Sequence, residues 1–244
     1  MKIDVLYEDN HCLVVNKPAG LLSQADATGD PCLVSWARDY LKARYQKPGN
    51  VYVGLVHRLD RPTSGVLLLA RTSKAASRLS DQFRSGKISK TYWAIVEGQP
   101  ELLEGQWDDL LEKDRRLNRV RLLDEPSQEG QLARLHYRVV KCGGGLCKLE
   151  LRPATGRSHQ LRVQLAGRGL PIVGDRKYGA ATLLEAEDGQ RRIALHARGL
   201  SFTHPTRAEV ISIVAPVPAD WPESAPGWWE QRSGSSKPEG RRAP

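Results

Sequence analysis

The sequence predicts an α+β fold on a mixed, largely antiparallel central sheet with flanking helices, and three observations carry that expectation. Short β-type runs and helical segments are interleaved without the strict alternation of a parallel α/β fold. No internal repeat and no linker interrupts the chain before Pro222. With 244 residues, a chain buries roughly two-thirds or more of its unfolded surface, enough for one core without staples. Residues 1–222 are therefore read as one domain. Residues 223–244, with Ser233-Gly234-Ser235-Ser236 and Lys237-Pro238, have the composition of a disordered tail.

Val5 to Glu8 and Cys12 to Asn16 are β-type runs joined by Glu8-Asp9-Asn10, whose Asp and Asn favour a turn, and together they predict a hairpin. Asp30 before Pro31 is a helix-start signal, and Leu33, Trp36, Tyr40 and Leu41 recur at helical spacing up to about Tyr45. Val66 to Ala70 has the uninterrupted apolar character of a buried strand. Ser73 can cap a second helix, with Ala76, Leu79 and Phe83 facing inward and Gly86 just past its end. Thr91 to Glu97 is β-branched and aromatic, as a strand requires. Between residues 99 and 130 only Val120 to Leu123 reads as a strand. Leu135 to Val140 and Cys147 to Leu151 form a hairpin across Gly143-Gly144-Gly145. Ser158 to Ala166 reads as a helix with His159 and Arg162 on one face, and Glu209 to Val214 alternates as a half-buried strand does.

The longest apolar runs are four or five residues, against roughly 20 for a spanning helix, and Asp4 interrupts any secretion signal. A cytoplasmic protein is expected, with no membrane partner and its four cysteines as reduced thiols. Cys142 and Cys147 lack a second ligand pair at zinc-knuckle spacing, so no metal is expected. The net charge of +9 is concentrated: residues 57–90 carry +6 and residues 152–178 carry +5. A polyanion, nucleic acid above all, is the natural partner of such a surface, although a merely soluble basic surface remains an alternative on charge alone.

The most unusual segment is His57-Arg58-Leu59-Asp60-Arg61-Pro62-Thr63-Ser64-Gly65, a carboxylate between two arginines in a turn before the most apolar strand. Functional groups are commonly mounted on such loops. A structural salt bridge that holds the turn is the competing reading of Asp60.

This segment strongly resembles the catalytic motif of the RluA-type pseudouridine synthases. Three further segments agree in order: Val14-Val15-Asn16-Lys17-Pro18-Ala19-Gly20, Lys90-Thr91-Tyr92-Trp93-Ala94, and Gly156-Arg157-Ser158-His159-Gln160-Leu161-Arg162-Val163 with Pro171-Ile172-Val173-Gly174-Asp175. The resemblance covers residues 3 to about 215 and implies the pseudouridine-synthase fold. It also implies isomerisation of uridine in ribosomal RNA or tRNA, with no cofactor and a monomeric enzyme. By the same match, Asp60 is the catalytic carboxylate, with attack on C1′, attack on C6 of uracil and initial removal of a ribose proton all open to it. Arg162 is the arginine that pairs with it, and Tyr92 is the tyrosine that stacks on the target uracil, with assistance to removal of the C5 proton as a second role. Arg58 is the residue that enters the RNA where the uridine is flipped out. His57, Arg61, Thr63, Lys90, Arg157 and His159 are expected to contact RNA, as are Lys74 and Arg78 on the second helix. Gln164 and Pro62 depart from common family residues. Many relatives carry an N-terminal S4-type domain that this chain lacks, so target choice is expected from the domain itself, from residues 99–130 and 180–192, or from the tail.

Two other readings compete. A non-catalytic RNA-binding protein on the same scaffold would bind without isomerising. A hydrolase using Ser64, His57 and Asp60 lacks a nucleophile-elbow pattern and a separate oxyanion loop.

Overall fold

The computed structural model describes residues 2–114, 116–184 and 192–222. The tail expected at residues 223–244 lies outside the described residues, as do residues 185–191 of the segment at 180–192. In chain order the elements are β1 (Asp4–Glu8), β2 (Cys12–Lys17), α1 (Leu33–Arg44), β3 (Gly54–Leu55), β4 (Ser64–Ala70), α2 (Ser73–Arg84), β5 (Ser89–Glu97) and β6 (Glu104–Asp114). Then follow β7 (Arg119–Leu123), β8 (Gln131–Gly143), β9 (Leu146–Pro153), α3 (Gln160–Ala166), a 3-10 turn (Arg176–Tyr178), β10 (Leu195–Thr203) and β11 (Val210–Val214).

The strands form one sheet in the order β1-β2-β4-β10-β5-β9-β8-β6-β7, with β3 against β4 and β11 against β10. The named strands pair antiparallel except for β4 with β10. This is the mixed, largely antiparallel α+β architecture that the sequence predicts.

β4 shows why the run from Val66 to Ala70 is apolar at every position. Leu67 and Leu69 pack with Leu33, Ala37 and Leu41 of α1, whereas Val66, Leu68 and Ala70 pack with Ala75 and Leu79 of α2. A strand covered on both faces has no solvent side on which to alternate. Each fully buried leucine here contributes about 1.5–3 kcal/mol of transfer free energy.

The two parts of the sheet meet at the parallel β4–β10 contact, which consists of Ser64 opposite His196 and Gly65 opposite Ala197. Gly65 has φ +115°, and a Cβ there would lie 2.3 Å from the Ala197 carbonyl oxygen. Only glycine permits this backbone approach. The neighbouring pair is polar: Ser64 Oγ lies 2.9 Å from His196 Nδ1, and His196 Nε2 lies 3.3 Å from the Ala215 carbonyl.

Several boundaries differ from expectation. The α1 N-cap is Cys32, because Asp30 is drawn away into an ion pair with Arg61 at 2.7 Å. Thr72, one residue before Ser73, caps α2 by accepting from the Ala75 N–H at 3.1 Å. α3 begins at Gln160, after His159 takes a left-handed φ of 50°. β6, whose charges include Asp108 and Asp109, was not legible as a strand. Cys142 and Cys147, expected as reduced thiols, are joined by a disulfide; they are cross-strand partners in the β8–β9 hairpin, with Cα atoms 4.1 Å apart. Cys12 and Cys32 are free and buried. Among the described residues no helix is long and apolar enough to cross a membrane.

Burial holds His196 neutral, with its pKa down at about 4. The unfolded chain takes up this proton below about pH 6.5 and the folded chain does not until about pH 4, so stability falls as pH drops through that window. His196 alone should remove about 2 kcal/mol between pH 7 and pH 5. Urea unfolding at the two pH values tests this, and a His196→Gln variant whose loss on acidification equals that of wild type would contradict it.

Candidate active site

The loop that enters β4 is pinned on both sides of Asp60. Ser23 Oγ donates to the Leu59 carbonyl at 2.7 Å and accepts from the Leu59 N–H at 3.2 Å. Beyond Asp60, the Arg61 carbonyl accepts from the Gly20 N–H at 2.8 Å and from Lys17 Nζ at 3.3 Å. Lys17 Nζ donates also to the carbonyls of Pro18 at 2.9 Å and Leu21 at 2.8 Å. The lysine is fully buried, and burial draws its pKa down to about 7 against the opposing attraction of Asp60. The turn itself closes with the Thr63 N–H donating to the Asp60 carbonyl at 3.0 Å.

Arg162 reaches Asp60 from α3, a short helix whose residues 160–165 are all buried. Its Nη1 donates to Asp60 Oδ2 at 3.1 Å, while Nε and Nη2 grip Asp175 Oδ2 and Oδ1 at 2.6 and 2.8 Å. Asp175 is 1% exposed and Arg162 is 5% exposed. Burial works against the guanidinium charge, but hydrogen bonding and charge from Asp175, and then Asp60, more than offset it and raise its pKa above the usual arginine range. A planar fork suits this arrangement, because two donors serve the buried carboxylate and a third remains for the one at the surface. The Asp60 side chain keeps 29% of its surface exposed.

Tyr92 comes from β5, between Ala197 of β10 and Leu151 of β9. Burial, and then the Asp60 charge, raise its pKa, so the phenol stays protonated at neutral pH.

These three groups line one cleft of about 1070 Å³. Its walls carry eight Lys and Arg residues against Asp26 and Asp60, so the basicity seen in the sequence converges on the carboxylate rather than spreading over the surface. His57, Arg58, Arg61, Thr63, Lys90, Arg157 and His159 all line the cleft, and Lys74 and Arg78 do not. Arg78 instead donates to the Pro205 carbonyl at 2.7 Å, and Lys74 is exposed on α2.

The lining residues differ in what they are free to do. Arg58 is exposed and has no hydrogen bond or ion pair among the described residues. Arg61 is spent on the Gly20 carbonyl and Asp30. His57 stacks on Phe83 and accepts the Leu68 N–H at 2.9 Å; burial lowers its pKa to about 3, so it is neutral. Lys90 Nζ donates to the Thr155 carbonyl at 2.8 Å, and burial lowers its pKa to about 8. Arg157 Nε donates to the Leu132 carbonyl at 3.0 Å. Thr63 Oγ1 is buried with no hydrogen-bond partner. His159 Nε2 lies 4.0 Å from Asp60 Oδ2. Ser64 bonds His196 rather than His57, so the geometry contains no Ser64, His57, Asp60 triad.

Three residues with evident roles carried none in the sequence reading. Lys17 ends an apolar strand, and its burial could not be inferred from that position. Asp175 is the single acid among the basic residues of 152–178, a signal that could have paired it with an arginine. Tyr178 touches both His159 and Arg162, and no local pattern announces it.

Comparison with known proteins identifies the family. The sequence pattern described as RNA pseudouridylate synthase matches residues 11–167. A protein of Xylella fastidiosa named ribosomal large subunit pseudouridine synthase D is 39% identical over 230 residues, covering 89% of this chain and 67% of that protein. A dual-specificity RNA pseudouridine synthase RluA of Salmonella typhimurium is 38% identical, covering 89% of this chain and 93% of its own length. The structure of human RNA pseudouridylate synthase domain containing 4 superimposes with a TM-score of 0.74 at 26% identity, over 94% of this chain and 92% of that one.

Lys17→Met should leave carbonyls of Pro18, Leu21 and Arg61 without their buried donor and cost about 1–3 kcal/mol of stability. A urea midpoint equal to that of wild type would show that Lys17 does not hold the loop.

Proposed function

This chain belongs to the RNA pseudouridylate synthase family and is an isomerase that converts uridine in RNA to pseudouridine; we propose that Asp60 is its nucleophile. The reaction breaks the bond from N1 of uracil to C1′ of ribose and joins C5 of the same uracil to C1′. The hydrogen at C5 leaves as a proton and N1 gains one, so substrate and product are isomers and no oxidant or reductant is needed. A carboxylate suits the step because it can hold one fragment covalently while the base turns.

The observation that carries this reading is the contact of Asp60 with a buried, doubly paired arginine inside a basic cleft. An unpaired carboxylate in a pocket closed by RNA would be driven to its neutral form by desolvation. Arg162 supplies the pairing through its Nη1, which donates to Asp60 Oδ2 at 3.1 Å. Tyr92 is the platform for the uracil. Its protonated phenol favours stacking and hydrogen bonding over removal of the C5 proton.

Uracil stacked in folded RNA cannot reach Asp60, so the nucleotide has to leave the stack. Arg58, exposed and unpaired among the described residues, is placed to fill the gap with a planar guanidinium. Lys90 and Arg157, on the wall of the cleft, hold phosphates on either side. The relatives' names favour large-subunit ribosomal RNA as substrate, with tRNA the second candidate. Asp60, Tyr92 and Arg162 meet in one cleft within a single copy of the chain, so a monomer can carry the site, and the substrates support a cytoplasmic enzyme.

Tritium release from RNA labelled at C5 of uridine tests the assignment, because that hydrogen is lost only when C5 becomes the glycosidic carbon. Ribosomal RNA and tRNA are assayed separately with wild type and Asp60→Asn. Release by wild type and background counts with Asp60→Asn, at similar RNA affinity, are expected. Retained release by Asp60→Asn would remove Asp60 as nucleophile, and binding without release by wild type would favour the RNA-binding reading.

A further inference from the structure

Behind the Asp60–Arg162 contact lies a hydrogen-bonded chain to which the reaction above gives no role. The backbone N–H of Val120 on β7 donates to the Tyr178 hydroxyl at 3.0 Å. The same hydroxyl lies 2.7 Å from His159 Nδ1, and the opposite ring nitrogen, Nε2, faces Asp60 Oδ2 at 4.0 Å. His159 is brought there at a cost, because it adopts φ 50° immediately before α3. Left-handed backbone in a non-glycine residue costs of order 1–3 kcal/mol and collects at functional sites.

Donor and acceptor roles along this chain follow from bookkeeping. The Val120 N–H can only donate, so the Tyr178 oxygen accepts there. Among the described residues the hydroxyl hydrogen has no other acceptor than His159 Nδ1. Burial raises the Tyr178 pKa, which keeps that hydrogen in place. With Nδ1 accepting, a neutral imidazole must carry its hydrogen on Nε2, the nitrogen turned to Asp60.

We propose that Tyr178 and His159 are positioning residues, and that Tyr178 fixes His159 as a neutral imidazole whose Nε2–H, not a lone pair, faces the Asp60 carboxylate. The 4.0 Å separation is longer than a hydrogen bond. Such contacts commonly tighten when substrate closes a site. The imidazole then steadies the carboxylate from the cleft wall without adding another charge to the cleft. That Asp60 is the reacting group rests on the proposed function, whereas the tautomer of His159 does not.

The charged and titratable groups around the His159 ring are Asp60, Arg162, Lys177, Lys113 and Tyr178. Of these, Asp60 favours protonation of the ring, and the three cations and burial oppose it. Removing the tyrosine hydroxyl removes the donor that occupies Nδ1, so His159 in Tyr178→Phe should take up a proton at higher pH than in wild type.

The experiment is ring nitrogen NMR on the full chain without RNA, with His159 assigned by difference from His159→Gln. Wild type should show Nδ1 bare and Nε2 protonated at pH 7, and Tyr178→Phe should shift the titration of this ring upward. Turnover of Tyr178→Phe should fall about tenfold or more in kcat, with KM nearly unchanged. A protonated Nδ1 in the wild-type ring, or a titration that Tyr178→Phe leaves in place, overturns the proposal. If Tyr178→Phe does not fold, His159→Gln and His159→Leu decide. Gln keeps an N–H donor and should retain more turnover than Leu, and equal losses would overturn the proposal. Absence of isomerase activity in wild type with the expected tautomer would count against the proposed function alone.

Discussion

The whole site hangs on one buried guanidinium. Arg162 is nearly sealed from water, and a charge in that position is tolerable only if it is paired. Asp175 supplies the pairing by accepting from Nε and Nη2 with both carboxylate oxygens, so the arginine does not depend on Asp60 for its own stability. This division has a chemical consequence. Asp60 can change partner during a reaction while Arg162 remains in place, because breaking the Asp175 pair would strand a buried charge at a cost of about 3–5 kcal/mol.

The fold serves this contact by bringing distant segments to one point. Asp60 sits just before the parallel junction of β4 with β10, Tyr92 lies on the next strand over, and Arg162 follows β9. Gly65 lets the two strand backbones close at the junction, and Ser23, Gly20 and Lys17 fix Leu59 and Arg61 on either side of the carboxylate. Placement of Asp60 therefore comes from backbone hydrogen bonds and sheet pairing, while its partner is supplied by the Arg162 side chain. The two controls can be altered separately.

Much of this was legible in the residues. β4 was readable because covering on both faces leaves a continuous apolar run, and the β8–β9 hairpin because Gly144 and Gly145 supply the positive φ of its turn. Asp60, Tyr92 and Arg162 could be named from the family motifs that contain them, and the cleft brings them together. The unread part is long-range. Nothing local tells that Lys17 turns inward to three carbonyls, that Asp175 holds Arg162, or that Asp30 leaves its helix for Arg61. Lys74 and Arg78 have the right charge on the right helix, but only the C-terminal end of that helix, at Phe83 and Arg84, reaches the cleft. The Cys142–Cys147 bond likewise depends on hairpin register, which the spacing of two cysteines does not reveal.

The forked geometry of Arg162, and not its charge alone, links the buried Asp175 carboxylate to Asp60 in the cleft. Single-turnover isomerisation by Arg162→Lys at saturating RNA tests it most directly, with folding checked by circular dichroism. Lysine keeps the charge but cannot grip Asp175 with two donors and reach Asp60 as well, so a folded variant should lose about 10–100-fold in rate. A folded Arg162→Lys enzyme with the wild-type rate would contradict the account.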